Sequence, residues 1–259
     1  MTDKLIPYNE YENKIYIPNE IFTDLRVLHG KGSSHVAFAY SYYFLISWLY
    51  RYAKYGEKVI TVQLIKQMLG YSGNNKNTNY IIKKNGILDQ IGYTRSDTDF
   101  PIAVEFISND VIFTMISELD LEIQNILMAQ RGKNYKIKIP LKGLWRDTES
   151  EVTGEYNGVF YQIDYTHEMT MDIFYKCMSD KRLGVHGFYL YGYLKYRCDK
   201  FGKYQVSLDR LGEEVGISKN TVEKYMNNLM KCDLIKCIEN SCRKIDKNFV
   251  KEANTYTII

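Results

Sequence analysis

The hydrophobic positions between residues 204 and 240 recur at the spacing of two short helices joined by a tight turn. Leu208, Leu211 and Val215 fall on one face of the first helix. Ser207 precedes them, and serine is a preferred residue at a helix N-terminus. Gly216 follows them and can take the left-handed conformation that ends a helix. The pattern therefore predicts a helix, a turn and a second helix.

The second helix is predicted to have one apolar and one polar face. Its apolar positions are Val222, Tyr225, Met226 and Leu229. Asparagine can pair with adenine edges, and lysine with guanine or phosphate, so this helix suits a DNA major groove. The alternative is an ordinary solvated amphipathic helix. The candidate DNA-contacting residues are Ser218, Lys219, Asn220, Thr221, Lys224, Asn227 and Lys231.

Two strands joined by a basic tip are predicted after the second helix. Residues 234–238 begin an apolar strand, and TYTII near the C-terminus is its expected returning partner. The tip between them adds the DNA-binding candidates Arg243, Lys244 and Lys247. Residues 195–251 contain thirteen Lys and Arg against eight Asp and Glu, about +5 in a chain of +3. This charge lies where a phosphate surface is expected.

An internal duplication is the strongest organisational pattern. An apolar helix predicted over residues 35–55, with Ser33 or Ser34 as its cap, precedes LIKQMLGYS, which parallels RLGEEVGIS in the C-terminal segment. LDQIGYTR parallels LMKCDLIK in the same way. The first copy offers the DNA-binding candidates Lys76, Asn77, Asn79, Lys83 and Lys84 on its second helix. Gly86 weakens that helix, and Asp97 and Asp99 in its wing turn would repel phosphates.

The remaining segments complete an α+β prediction that is mainly α. Strands are expected over residues 14–18, 102–115 and 159–165, and helices over 119–131 and 168–178. The strand predicted after residue 132 resembles an edge strand and should expose its lysines. Lysine on an edge strand more often prevents aggregation than binds phosphate. The lysines of this strand are Lys133, Lys136, Lys138 and Lys142. The acidic turn near residue 150 predicts a boundary between domains at 1–150 and 151–259.

Composition favours a reduced, cytoplasmic protein without a cofactor. The first twenty residues do not resemble a signal peptide, and the apolar run at 35–50 is too short for a membrane span. Five cysteines in a chain without an export signal indicate free thiols. A length of 259 residues allows one large core or two ordinary ones.

Catalytic and metal sites are not predicted. The four histidines are scattered, and HGKGSS at 29–34 lacks the spacing of a phosphate-binding glycine loop. Cys232, Cys237 and Cys242 are expected in a helix end, a strand and a loop tip, where they would not converge on zinc. We therefore do not expect an enzyme.

The C-terminal segment resembles winged-helix domains. The residues that carry the likeness are S-x-x-x-L-G-x-x-x-G-I-S-x-x-T-V over 207–222, followed by L-I at 234–235. Two such domains in tandem resemble the theta-type replication initiators of plasmids and phages of Gram-positive bacteria. That resemblance implies a protein that binds double-stranded DNA at repeated sites and contacts replication proteins of the host. The same pattern occurs in transcription regulators, which could form homodimers through the long apolar helices, and in winged-helix adaptors that bind protein.

Overall fold

The computed structural model of the chain describes residues 6–107, 110–132, 134–199, 201–238, 242–245, 248–251 and 253–259. For residues 242–245 and 248–251 it describes the backbone alone. The fold is α+β and mainly α, with small antiparallel sheets, as the sequence predicts. Within the described ranges, every helix is too short or too polar to cross a membrane.

The N-terminal part contains one strand and the longest helix. Its elements are β1 (Lys14–Pro18), α1 (Ile21–Asp24), α2 (Ser33–Arg51) and α3 (Lys54–Glu57). Helix α2 is buried around its whole circumference from Val36 to Tyr50, because its apolar and aromatic residues leave no polar face. It ends at Arg51 rather than near residue 55, since Ala53 takes a left-handed conformation with φ of 48°. Ser33 and Ser34 lie inside its first turn.

The middle of the chain contains short helices and two strand pairs. Its elements are α4 (Val62–Met68), α5 (Asn79–Ile82), α6 (Ile87–Gln90), β2 (Thr94–Asp97), β3 (Pro101–Ile107), β4 (Asp110–Met115), α7 (Leu121–Arg131), β5 (Ile137–Pro140), α8 (Leu141–Leu144) and α9 (Thr148–Thr153). Strand β2 pairs antiparallel with β5, and β3 pairs with β4. The strands predicted over residues 102–115 are therefore present, and they pair with each other rather than with β2.

The C-terminal part begins with a strand and two helices and ends in a sheet. Its elements are β6 (Thr166–Thr170), α10 (Met171–Ser179), α11 (Gly184–Asp199), β7 (Tyr204–Val206), α12 (Leu208–Val215), α13 (Lys219–Lys231), β8 (Ile235–Ile238), β9 (Cys242–Ile245), β10 (Asn248–Lys251) and β11 (Asn254–Ile258). Strand β11 lies between β7 and β8 and is antiparallel to both. The predicted returning strand at the C-terminus is confirmed.

The strand predicted over residues 159–165 is wrong. The amides of Val159 and Phe160 donate hydrogen bonds to the carbonyls of Lys142 and Gly143. These bonds hold the two residues in a loop. The amides of the next two residues both bond back to Gly158, so the backbone turns instead of extending. The strand of this region, β6, starts only at Thr166.

The chain forms two compact units that do not follow the predicted boundary at residues 150 and 151. The C-terminal unit combines Asn19–Ser41 with His167–Ile259. The central unit combines Leu5–Pro18 with Tyr42–Thr166. The acidic segment near residue 150 is a helix of the central unit, α9, whose N-terminus is capped by Asp147.

The apolar surface of the long helices, on which a homodimer is predicted, is not exposed in the chain. Their apolar side chains are already buried in the chain: α2 from Val36 to Tyr50, and α11 from Phe188 to Leu194. A second copy could contact these side chains only if the residues that cover them moved, which would expose apolar area to water. A homodimer formed through other surfaces stays a prediction.

A neutral histidine lies in the core of the C-terminal unit. His167 is 1% exposed, and its Nδ1 lies 2.9 Å from Oδ1 of Asn19. Its Nε2 lies 2.7 Å from the hydroxyl of Tyr40. This pairing fits the tautomer in which Nδ1 donates and Nε2 accepts. Burial, followed by the nearby charge of Lys195, lowers the pKa of His167 to about 3.

We expect acid to weaken the fold through His167. Below its ordinary pKa of about 6.5 the unfolded chain binds a proton at this residue, whereas the folded chain does not until about pH 3. Stability is therefore fully present above pH 6.5 and falls by about 1.4 kcal/mol per pH unit below it. Urea unfolding between pH 7 and 5 should show a smaller loss in His167→Gln than in wild type. If the free energy of unfolding depended on pH equally in the two proteins, His167 would not be the source of the acid sensitivity.

Candidate nucleic-acid interface

The turn between α12 and α13 is built by glycine at two positions. Gly216 ends α12 with φ of +68°, a conformation that other residues rarely adopt. A β-carbon on Gly212 would lie 2.7 Å from the carbonyl oxygen of Ile217, so the close approach of the turn requires glycine there too. Ser207 caps α12 by accepting a hydrogen bond from the amide of Arg210 at 3.2 Å. The predicted helix, turn and helix are thus present.

Helix α13 buries one face and exposes the other. Val222, Met226 and Leu229 are at most 1% exposed and fix the helix against the core of its unit. The exposed face carries a set that we name the polar stripe: Asn220, Lys224, Asn227 and Lys231. These four residues are spaced four, three and four positions apart, so they fall within about 60° of one another around the helix axis. The stripe lies opposite the buried face.

The residues at the start of α13 are engaged with each other or with α12. Lys219 Nζ forms an ion pair with Asp209 at 2.7 Å, in which both side chains are at least half exposed. Ser218 precedes the helix, but its hydroxyl contacts that of Thr221 at 2.9 Å and makes no capping bond to the backbone. Of the seven residues predicted on this helix, these three are therefore less available to a ligand than the polar stripe.

A stacked pair of rings lies beside one residue of the stripe, Lys224. His186 of α11 stacks on Tyr225 at 4.6 Å between ring centroids, with the planes 10° apart. The ammonium of Lys224 lies 5.4 Å from the centre of the Tyr225 ring. Burial, followed by the charge of Lys224, lowers the pKa of His186 to about 4, so this ring is neutral at pH 7.

The C-terminal end of α13 is anchored by residues that the sequence pattern does not reveal. Lys176 Nζ donates to the carbonyl of Cys232 at 2.7 Å, where the negative end of the helix dipole favours a cation. Asn228 Nδ2 donates to the carbonyl of Arg182 at 2.7 Å. Arg182 in turn bonds Asp180 and holds the pKa of that carboxyl well below its usual range. These bonds join residues about fifty positions apart and hold the stripe in one orientation.

The basic tip forms a hairpin beside the three-stranded sheet. Strands β9 and β10 pair antiparallel, with Arg243 opposite Val250 and Lys244 opposite Phe249. The side chains of Arg243 and Lys244, and the whole of Lys247, lie outside the described residues.

The segment predicted to be the first copy of the duplication does not present a continuous helix. Its predicted second helix is split into α5 and α6, because Asn85 takes a left-handed φ of 58° between them. Lys83 and Lys84 are exposed in that break, while Lys76 and Asn77 lie in the loop before α5. Asn79 is occupied, since its Oδ1 accepts a bond from the buried amine of Lys66 at 2.6 Å. The five candidates therefore do not share one helix face.

The predicted edge-strand lysines are mostly engaged in contacts. Lys138 is 10% exposed and reaches both carboxylate oxygens of Asp89 at 2.6 Å, so it is an ion-pair partner rather than a free edge lysine. Lys142 donates to the carbonyl of Arg146. Lys136 is exposed as predicted, and Lys133 lies outside the described residues.

Asp97 and Asp99 stabilise the turn after β2. Asp97 Oδ1 accepts the amides of Thr98 and Asp99 at 2.7 and 3.1 Å. Asp99 accepts the amide and hydroxyl of Ser117 at 3.1 and 2.8 Å. These bonds fix the two negative charges that the sequence predicts to repel phosphates.

Neither metal chemistry nor known relatives identify a different site. In the part of the chain that the structure describes, no three histidine, cysteine or acidic side chains are placed to hold a metal ion. Four cysteines, at positions 177, 198, 232 and 237, are free thiols. No model of a known protein family, no curated protein and no solved structure matches this chain.

Proposed function

We propose that the C-terminal unit contains a winged helix-turn-helix and that the protein binds double-stranded DNA at specific sequences. The observation that carries this proposal is the polar stripe, which presents two amides and two ammonium groups from the exposed face of the second helix. Asparagine can bond adenine through N6 and N7, and lysine can bond guanine or phosphate. The contacts described above at both ends of α13 hold the helix in place. Recognition of bases by its side chains requires such a fixed position.

The sheet and its hairpin support the same assignment. In a winged helix the second helix is followed by an antiparallel hairpin, and the returning strand lies in the middle of the sheet, as β11 does between β7 and β8. The extra strands β9 and β10 would extend that hairpin into a basic wing. The charge of about +5 over residues 195–251 would attract the DNA backbone.

We also propose that the central unit is a diverged copy of this domain. Thr61 caps α4 as Ser207 caps α12, and β2 pairs with β5 as β8 pairs with β11. Its broken second helix and the carboxylates after β2 make it a weak partner for DNA. In this proposal the C-terminal unit therefore supplies most of the DNA contacts.

The role we propose is initiation of replication on a plasmid or phage. Two unlike domains in one chain lack the two-fold relation that makes a homodimer's operator palindromic, so they should recognise an asymmetric site. A replication initiator binds such sites where they are arranged as direct repeats, next to an AT-rich segment whose two strands can separate. The burial of the long apolar helices disfavours the symmetric dimer of a typical regulator.

Footprinting on the DNA that flanks the gene tests this role. We expect several protected direct repeats, and we expect a plasmid carrying only the gene and that flank to replicate in a suitable host. The contrary result is a plasmid that fails to replicate while a reporter gene driven from the same flank responds to the protein. That result would contradict the initiator role and indicate a transcription regulator.

A further inference from the structure

The central unit contains an open cleft of about 610 Å³. One wall is a row of three aromatic rings: Tyr156 stacks on Tyr161 at 5.0 Å with planes 6° apart, and on Trp145 at 5.7 Å. Tyr156 is 50% exposed, so this row faces solvent instead of forming core. An aromatic row that is partly open to water is an unusual surface for a protein to leave uncovered.

The lining of the cleft outside the aromatic row is mostly apolar, but it includes four acidic side chains. These are Asp97, Asp99, Asp110 and Glu118. In the described part of the chain none of the four forms an ion pair. The cation of the cleft, Arg95, is paired with Glu151 and does not neutralise them. The cleft is therefore strongly negative.

Most of these carboxylates are held in place by the backbone and retain lone pairs for a ligand. Asp97 and Asp99 accept the turn bonds described above, and Glu118 accepts the amide of Met115 at 2.9 Å. Each ionised carboxylate has about four acceptor positions, so each retains several. Burial, followed by the neighbouring Tyr156 and Asp99, raises the pKa of the Tyr50 hydroxyl in the same cleft, as expected beside negative charge.

The chemistry of these walls selects an extended organic cation. Anions would be repelled, and the acidic groups are not close enough together to hold a metal ion within the described residues. An ammonium group is attracted both to carboxylates and to the faces of Trp and Tyr, while methylene groups pack on the rings. We propose that this cleft binds an aliphatic polyamine, with its ammonium groups on the carboxylates and its methylene chain along the aromatic row.

Tryptophan fluorescence provides a direct readout with spermidine as the probe. The chain has two tryptophans, of which Trp48 is fully buried and Trp145 lies in the cleft. We expect spermidine to change the emission of the full-length protein saturably in the absence of DNA. Trp145→Phe should remove that change, while calorimetry should still detect one bound spermidine per chain.

Charge-neutralising variants test whether the cleft carboxylates bind the probe. Asp110→Asn removes a carboxylate that has no hydrogen bond or ion pair among the described residues, so the fold should not change. We expect it to weaken spermidine binding about tenfold, and Asp97→Asn/Asp110→Asn to weaken it further. Glu122→Gln is the matched control, because it removes one exposed carboxylate of α7 outside the cleft. Its affinity should equal that of wild type.

Several outcomes would overturn the proposal. These are no saturable binding, equal binding in the Asp97/Asp110 variant and wild type, and an equal response to Mg²⁺ at matched ionic strength. A lysine-rich peptide that binds the cleft where spermidine does not would indicate a protein partner instead. Because the titration contains no DNA, its failure leaves the proposed DNA-binding function untouched.

Discussion

Replacing Asn220 and Lys224 together with alanine should weaken binding to a preferred duplex by roughly 100-fold or more. Each side chain, if it reads a base, contributes about 1–3 kcal/mol of discrimination. The two residues are one helical turn apart on the polar stripe, so their effects need not add. Electrophoretic mobility shift on a duplex selected from a random library would measure the loss.

The matched control for this variant lies in the central unit. Asn125→Ala/Lys136→Ala removes the same two side-chain types from exposed positions of the central unit. We expect its affinity for the duplex to stay within about twofold of wild type, because isolated surface substitutions change the stability of the fold very little. Full affinity in the Asn220/Lys224 variant, or an equal loss in both double variants, would contradict a reading role for the stripe.

Leu229→Ala should destabilise the protein by about 2–5 kcal/mol, the usual cost of a cavity at a fully buried leucine. Leu229 is 0% exposed on the buried face of α13. Asn227, two positions earlier, belongs to the polar stripe, so Asn227→Ala should change stability by about 0.5 kcal/mol or less. It should nevertheless weaken DNA binding. Urea unfolding and mobility shift on both variants would separate the two faces.

The reverse order of stability for these two variants would show that α13 is rotated from its described position. Circular dichroism at 222 nm before unfolding controls for loss of helix in either variant.

Local patterns sufficed to predict the helix-turn-helix from sequence. Ser207 and Gly216 act within one turn of their own positions, as cap and terminator, so neighbouring residues determine them. The apolar spacing of Val222, Met226 and Leu229 likewise predicts which face of α13 is buried, and the structure confirms it. The returning strand β11 follows from its alternation.

Long-range pairing could not be read from local pattern. Strand β5 pairs with β2 across more than forty residues, while the nearer β3 and β4 pair with each other. Lys138 looks like an exposed edge lysine because only the fold brings Asp89 to it. The break at Asn85 depends on a positive φ, which asparagine permits but does not require.

The aromatic cleft was also beyond sequence reasoning. Its acidic residues lie at the end of β2 and just after it, and at the start of β4 and just after it, whereas Trp145 and Tyr156 come from later segments of the chain. Asp97 and Asp99 stood out in the sequence only as a poor surface for phosphate. Their bonds to the turn and to Ser117 give them a structural role that spacing alone does not show.

The central claim is that Asn220 reads a base, and the most direct test is selection of duplexes from a random library by the wild-type chain and by Asn220→Ala. We expect the wild type to enrich an asymmetric motif. We expect the variant to lose the preference at one A·T pair while it keeps the preferences at the other positions. Enrichment of no motif by the wild type, or of the same motif with equal strength by both proteins, would contradict the claim.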